Sequence, residues 1–219
     1  MVCHPQYSKS DMAKVIVDYY PLTEGILDYG FIKNLFDSYN TFQQKVEFKI
    51  NPNAPANGCK NDDGVLNQLD KVVKWQFYNN LQSQYLVEKH LFIVVAGIDE
   101  DGKGYASRMN KLRNKIKHDK FIEHCVFFVS VRQIETWIYY LLQPKKNRSE
   151  LDIIPIDAIE RRLKIQGNAA EKASQFLRKL KEVNGFSQPS IQRLVEQSAS
   201  FADFLKCIDN YTENLHLNK

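Results

Sequence analysis

Six consecutive apolar residues, Leu91-Phe-Ile-Val-Val-Ala96, run straight into Gly97-Ile-Asp99-Glu-Asp101-Gly-Lys-Gly104. A run this short cannot span a bilayer, which takes about 20 apolar residues. Its β-branched, unalternating character suits a strand covered on both faces, the central position of a parallel sheet. The glycine- and aspartate-rich segment after it reads as a tight turn beginning at Gly97. A buried strand of this kind needs a layer of helices on each side, so the neighbouring segments must supply them.

They do. Lys14-Val-Ile-Val-Asp-Tyr-Tyr20 is β-branched and aromatic and reads as a strand bounded by Pro21. Leu27, Phe31, Ile32, Leu35 and Phe36 then fall on one face at helical spacing, and the helix ends near Asn40. Lys45-Val-Glu-Phe-Lys-Ile50 alternates with period two and stops at Asn51-Pro52. A polar loop over 53–64 precedes a second helix over 65–82. Beyond the central strand, Tyr105 to Lys120 is expected as a basic amphipathic helix, Cys125 to Val131 as a strand and Ile134 to Leu142 as a short apolar helix. A basic linker, Pro144 to Ser149, leads into helices from Ile156 to Tyr211, broken at Gly167 and at Asn184-Gly185. The order β-α-β-α-β-α-β predicts an α/β fold with a mostly parallel sheet flanked by helices and a C-terminal helical extension. The expected division is a sheet domain over 1–143 and a helical extension over 144–219 that packs on it.

Composition narrows the class. The chain has 219 residues, 43% apolar and 26% charged, enough for one sizeable core, which excludes collagen-like, disulfide-scaffold and disordered classes. Lys and Arg outnumber Asp and Glu by 30 to 26, a net charge of +4 that permits a nucleic-acid partner without arguing for one. No CxxC pair occurs among Cys3, Cys59, Cys125 and Cys207, so reduced thiols in a cytoplasmic protein are expected. No signal-peptide pattern opens the chain, and no membrane partner is expected.

Ligands of parallel sheets bind at the carboxyl ends of the strands, and acidic residues follow three of the expected strands there. Glu24 follows the first, Asp99 and Asp101 the central one, and Glu135 the last. Carboxylates at one sheet edge repel unless a cation neutralises them, and hard oxygen ligands suit Mg²⁺ or Mn²⁺. Such a site can activate water against a phosphodiester. The Asp-Glu-Asp-Gly turn also serves ordinary turn and capping chemistry, so both readings stand at this point. Lys103, Arg108, Lys111, Arg113, Lys115, Lys117 and Lys120 give the next helix a basic stripe, which fits either a phosphate-backbone rail or a solvated face.

Glu24-Gly-x-x-Asp28-x-x-Phe31-Ile32, the apolar strand with Asp99-Glu-Asp101-x-x-Gly104, and Ser130-Val-Arg-Gln-Ile-Glu135-Thr-Trp137 resemble the motifs of the Toprim fold over residues 14–142. Small stand-alone Toprim-like proteins, akin to the overcoming-lysogenization-defect nucleases and the RloB-like proteins, are often encoded beside ATPases in bacterial defence loci. The resemblance implies a Mg²⁺- or Mn²⁺-dependent nuclease acting on DNA or RNA. Glu24 would be a general acid/base or metal ligand, Asp99 and Asp101 metal ligands, and Glu135 a further or ordering carboxylate. Lys103 is expected either to reach the scissile phosphate or to pair with Asp101 in the turn, and Lys103, Arg108, Lys111, Arg113 and Lys117 to bind the nucleic acid. The expected partners are the nucleic acid and an ABC- or AAA-type ATPase, with the C-terminal helices as the docking surface. Two other functions fit the residues: a non-catalytic Toprim-like module that regulates an ATPase, and a PD-(D/E)xK endonuclease built on Glu47 and Lys49.

Overall fold

The computed structural model describes residues 14–42, 45–55, 58–83, 91–131, 133–143 and 154–217. Four strands, β1 (Val15–Leu22), β2 (Val46–Ile50), β3 (Leu91–Asp99) and β4 (Cys125–Ser130), lie in the order β2-β1-β3-β4. All three pairings are parallel. From β1 the chain winds one way to β2 and the other way to β3. The carboxyl ends of β1 and β3 therefore flank the point where the winding reverses, which in sheets of this order leaves an open crevice.

Period-two alternation splits the strand residues between two cores. Val17, Tyr19, Ile93, Val95, Val126 and Phe128 face the layer formed by α1 (Ile26–Phe42), α5 (Ile134–Leu142) and the later helices α6 (Ile156–Leu163), α7 (Ala169–Glu182), α8 (Gln188–Gln197) and α9 (Ala199–Leu217). Tyr20, Leu22, Val94, Ala96, Ile98, Phe127 and Val129 face α2 (Asp62–Ser83), α3 (Tyr105–Arg113) and α4 (Asp119–Ile122). The unalternating apolar run of β3 follows directly: from Ile93 to Ala96 each successive residue enters a different core.

The differences from the sequence reading come from neighbours distant in the chain. β1 continues through Pro21 to Leu22. Odd-numbered residues of β1 turn their backbone groups toward β2, as the Val15 N–H to Lys45 and Asn51 N–H to Tyr19 bonds show. The β1–β2 register ends at Tyr19, so the missing N–H of Pro21 faces the side where no ladder remains. β3 likewise runs past Gly97 to Asp99, and no turn begins at that glycine. An added Cβ on Gly97 would sit 1.8 Å from the Phe128 ring, so glycine is there to admit an aromatic neighbour.

The basic helix is shorter than its periodicity suggests. After Arg113 the N–H groups of Lys115 and Ile116 bond three residues back, and the Lys117 N–H reaches Asp70 on α2 at 3.4 Å. That tertiary contact pulls the chain out of helical geometry. The loop after β2 is shorter as well, because Asp62 already opens α2. A further break falls at Ser198, whose Oγ accepts the Phe201 N–H at 3.1 Å as a helix N-cap. The linker 144–149 lies outside the described residues.

The C-terminal helices spend their apolar residues inside. Phe176, Leu180, Ile191, Leu194, Phe201, Phe204 and Leu205 are buried in the same core as β1, β3 and β4. The Trp137 indole is sealed among Phe31, Phe128, Phe201 and Phe204, with its N–H on Ser200 Oγ at 3.2 Å. Most of the apolar surface expected for docking is thus used in covering the sheet, and Leu177 and Val195 stay partly buried. No helix among the described residues is long and apolar enough to cross a membrane. Cys59, Cys125 and Cys207 are free thiols.

Candidate active site

Glu24 lies two residues past β1, Asp99 is the last residue of β3, and Glu135 sits in the first turn of α5. All three line one cavity of about 420 Å³ at the carboxyl edge of the sheet, and Asp28 of α1 lines it with them. Asp28 is four residues from Glu24, and the turn into α1 places both on the same side of the crevice. Lys60, in the loop before α2, and Glu160 and Lys172 of the C-terminal helices complete the lining. Lys172 Nζ binds the Glu160 carboxylate at 2.6 and 2.8 Å.

The local backbone explains how these groups meet. Gly58 adopts φ +68°, and a Cβ there would stand 2.7 Å from the Gly25 carbonyl oxygen. The Cys59 N–H donates to the Thr23 carbonyl at 2.6 Å. Together they clamp the loop carrying Lys60 onto the turn carrying Glu24. Past β3, both oxygens of Glu100 accept backbone N–H groups, Gly104 at 2.7 Å and Gly102 at 3.1 Å. Asp101, with φ +50°, turns the chain toward α3.

Asp99 and Glu24 are locked to each other through the main chain: the Asp99 N–H donates to Glu24 Oε1 at 2.9 Å. Ser130, paired with Asp99 across β3 and β4, donates its hydroxyl to Asp99 Oδ1. Arg108, only 1% exposed, gathers the remaining groups. Its Nε donates to the Asp99 carbonyl at 2.7 Å and its two terminal nitrogens to Asp62 at 2.6 Å and Glu24 at 3.5 Å. Asp101 stands 3.8 Å from the same guanidinium.

The electrostatics divide the acids into two groups. Asp62 is held down to about 2 by its hydrogen bond from Arg108, with Lys111 adding to it. The cavity acids go the other way. Burial raises Glu24, with Asp62 and Asp101 adding to it and the Asp99 N–H and Arg108 opposing. Burial, then the charges of Glu135 and Glu24, push Asp28 up to about 8. Asp99 is raised well above the usual range by burial and by Asp28, Glu24 and Glu135, against the Ser130 hydrogen bond. Glu135 is raised by burial, with Glu160 and Lys172 acting in opposite senses. Four carboxylates raised by burial and crowding form a donor set that a hard cation would relieve. Among the described residues no three His, Cys, Asp or Glu side chains already enclose a metal position.

The structure therefore brings Glu24, Asp99 and Glu135 together and adds Asp28, while Asp101 faces Arg108 outside the cavity lining. Arg108 is turned inward rather than onto the expected basic surface. Lys111 stands 3.3 Å from Asp62 and 3.9 Å from Asp63. Lys103, Arg113 and Lys117 are exposed, and none lines the cavity. Glu47 and Lys49 pair with each other at 3.6 Å on the edge strand, away from the cavity lining. Asp28 was legible from its four-residue spacing to Glu24, and Ser130 from its place at the end of β4. Lys60, Glu160 and Lys172 carry no sequence signal, because only tertiary folding brings them to the cavity.

Comparison of the chain with protein-family models, with curated proteins and with solved structures gives no match.

Proposed function

We propose that the chain is a divalent-metal-dependent nuclease, with the cavity lined by Glu24, Asp28, Asp99 and Glu135 as its active site. One observation carries this reading: acids from three separate elements converge at the β1/β3 crevice with only part of their charge balanced. Mg²⁺ or Mn²⁺ held there would lower the pKa of a bound water and offset charge on a phosphoryl transition state. Glu24, Asp28 and Asp99 would hold the ion, and Glu135 would order the far side. With Oε1 of Glu24 taken by the Asp99 N–H, its Oε2 is the atom left to face the ion. Ser130 and Arg108 fix the rotamers of Asp99 and Glu24 rather than react. Asp101 acts through Arg108. Lys60 and Lys172 line the same cavity, where they would meet an entering phosphate. The Toprim resemblance extends the proposal to an effector of a bacterial defence system that works with an ATPase partner.

The test is cleavage of labelled DNA and RNA by the purified chain. Activity should require Mg²⁺ or Mn²⁺, vanish on chelation, and fall at least about 1,000-fold in Asp99→Asn, consistent with losing a main source of transition-state charge stabilisation. Activity that survives in Asp99→Asn at the wild-type rate rules the site out.

A further inference from the structure

We propose that the groove between α1 and α7 binds a single-stranded flank of the nucleic-acid substrate, a reading that rests on the nuclease assignment. The groove encloses about 450 Å³ between Ile26, Ala173, Ser174, Leu177, Arg178 and Lys181. It shares Ile26 and Ala173 with the acidic cavity, so the two hollows adjoin along one wall. Gly30 sets its depth: an added Cβ there would lie 2.4 Å from Leu177 Cδ1, and glycine lets α7 settle closely onto α1.

Charge changes sign along this path. The cavity wall holds five carboxylates, Glu24, Asp28, Asp99, Glu135 and Glu160, against Lys60 and Lys172. The groove wall holds Arg178 and Lys181 and no carboxylate. Arg178 and Lys181 stand three residues apart on one face of α7, and Lys172 of the same helix lines the acidic cavity. A polyanion whose reacting phosphate sits over the acids would meet cations at this exit. Arg178 is engaged only in an exposed pair with Glu182 at 3.8 Å, which a phosphate can displace at little cost.

The apolar floor selects the form of the strand. A duplex keeps its bases stacked inside and gains nothing from Ile26 and Leu177, whereas an unstacked base or sugar can cover them. The alternative rail on α3 has lost two of its cations, Arg108 to the interior and Lys111 to Asp62 and Asp63.

The test is fluorescence anisotropy with labelled oligothymidine and oligouridine across a salt series, in chelator, so that no cleavage intervenes. Arg178→Gln/Lys181→Gln should weaken binding at least about 10-fold and flatten the salt slope by about 1.4, two phosphate contacts of a single strand. Lys111→Gln/Arg113→Gln should change it less than about 2-fold. Photocrosslinks from 4-thiouridine should fall on Ala169–Glu182 rather than Tyr105–Arg113. Unchanged affinity and slope in the α7 variant overturn the proposal. So do a larger loss in the α3 variant, equal binding of a blunt duplex, or no binding by the wild-type chain. Failure of the nuclease reading looks different: groove-dependent binding persists while Asp99→Asn leaves cleavage unaltered.

Discussion

Asp28→Asn is expected to make the metal-free protein more stable near neutral pH while removing its activity. Asp28 is buried, and burial with Glu135 and Glu24 pushes its carboxyl up to about 8. A carboxyl in the unfolded chain titrates near 3.9. Between about pH 4 and about pH 8 the folded state therefore binds more protons than the unfolded one. Stability from this group is complete below the lower value and is lost as pH rises through the upper one. Asp99, Glu24 and Glu135 are raised too and act in the same sense. Asparagine keeps the shape and removes the charge. The melting temperature of the metal-free wild type should fall from about pH 5 to about pH 8, and that of the variant should fall less. The difference should grow by roughly 2–4 °C for each kcal/mol relieved.

A divalent cation reverses the sign. Binding needs the ionised carboxylates, so Mg²⁺ or Mn²⁺ should raise the wild-type melting temperature more at about pH 8 than at about pH 5. The shift should be small in Asp28→Asn at either pH. Thermal melts over this range check both statements together. A wild-type melting temperature flat across the window, or an equal metal shift in the variant, contradicts them.

Arg108→Gln is expected to be the most damaging single change outside the apolar cores. One guanidinium satisfies the Asp99 carbonyl, Asp62 and Glu24, and stands beside Asp101. Removing it leaves Glu24 without its cation partner and Asp62 with Lys111 alone, and breaking a buried pair costs about 3–5 kcal/mol in comparable settings. Arg108→Lys keeps the charge but not the planar fork, and should recover only part of the loss. Glu24 would also lose a restraint on its rotamer, so cleavage should drop even at temperatures where the variant stays folded. Urea unfolding with a parallel activity assay separates the two effects. An Arg108→Gln protein within about 1 kcal/mol of wild type would show that the network is not a keystone of the site.

The parts of this molecule that were readable from the chain are those set by local periodicity. The β3 run and the four-residue spacing of Leu27, Phe31 and Leu35 announce a double-covered strand and its helix without any tertiary information. The acids at the strand ends were readable for the same reason, since a strand's end fixes which edge of the sheet its next residue occupies. What failed depended on neighbours distant in sequence. Pro21 stays in β1 because β2 has already ended, and Gly97 stays in β3 because Phe128 lies over it. Arg108 looked like one more cation on a basic stripe, and only the position of Asp62 at the head of α2 explains why it is inside. Asp101 shares a motif with Asp99, yet the turn that Glu100 organises directs it to Arg108, and Asp28 takes the place beside Asp99. Lys172 reaches the cavity from a segment that begins past the end of the sheet, a placement no spacing rule encodes.

Crystals grown with Mn²⁺ and measured at the manganese absorption edge test the shared cation site most directly. The anomalous peak is expected inside the cavity, in contact with carboxylate oxygens of Glu24, Asp28 and Asp99 and on the side facing Glu135. Asp101 should stay on Arg108. A cavity without a peak at saturating Mn²⁺, or peaks confined to surface acids such as Asp63 and Asp157, would contradict a metal-dependent active site at the β1/β3 crevice.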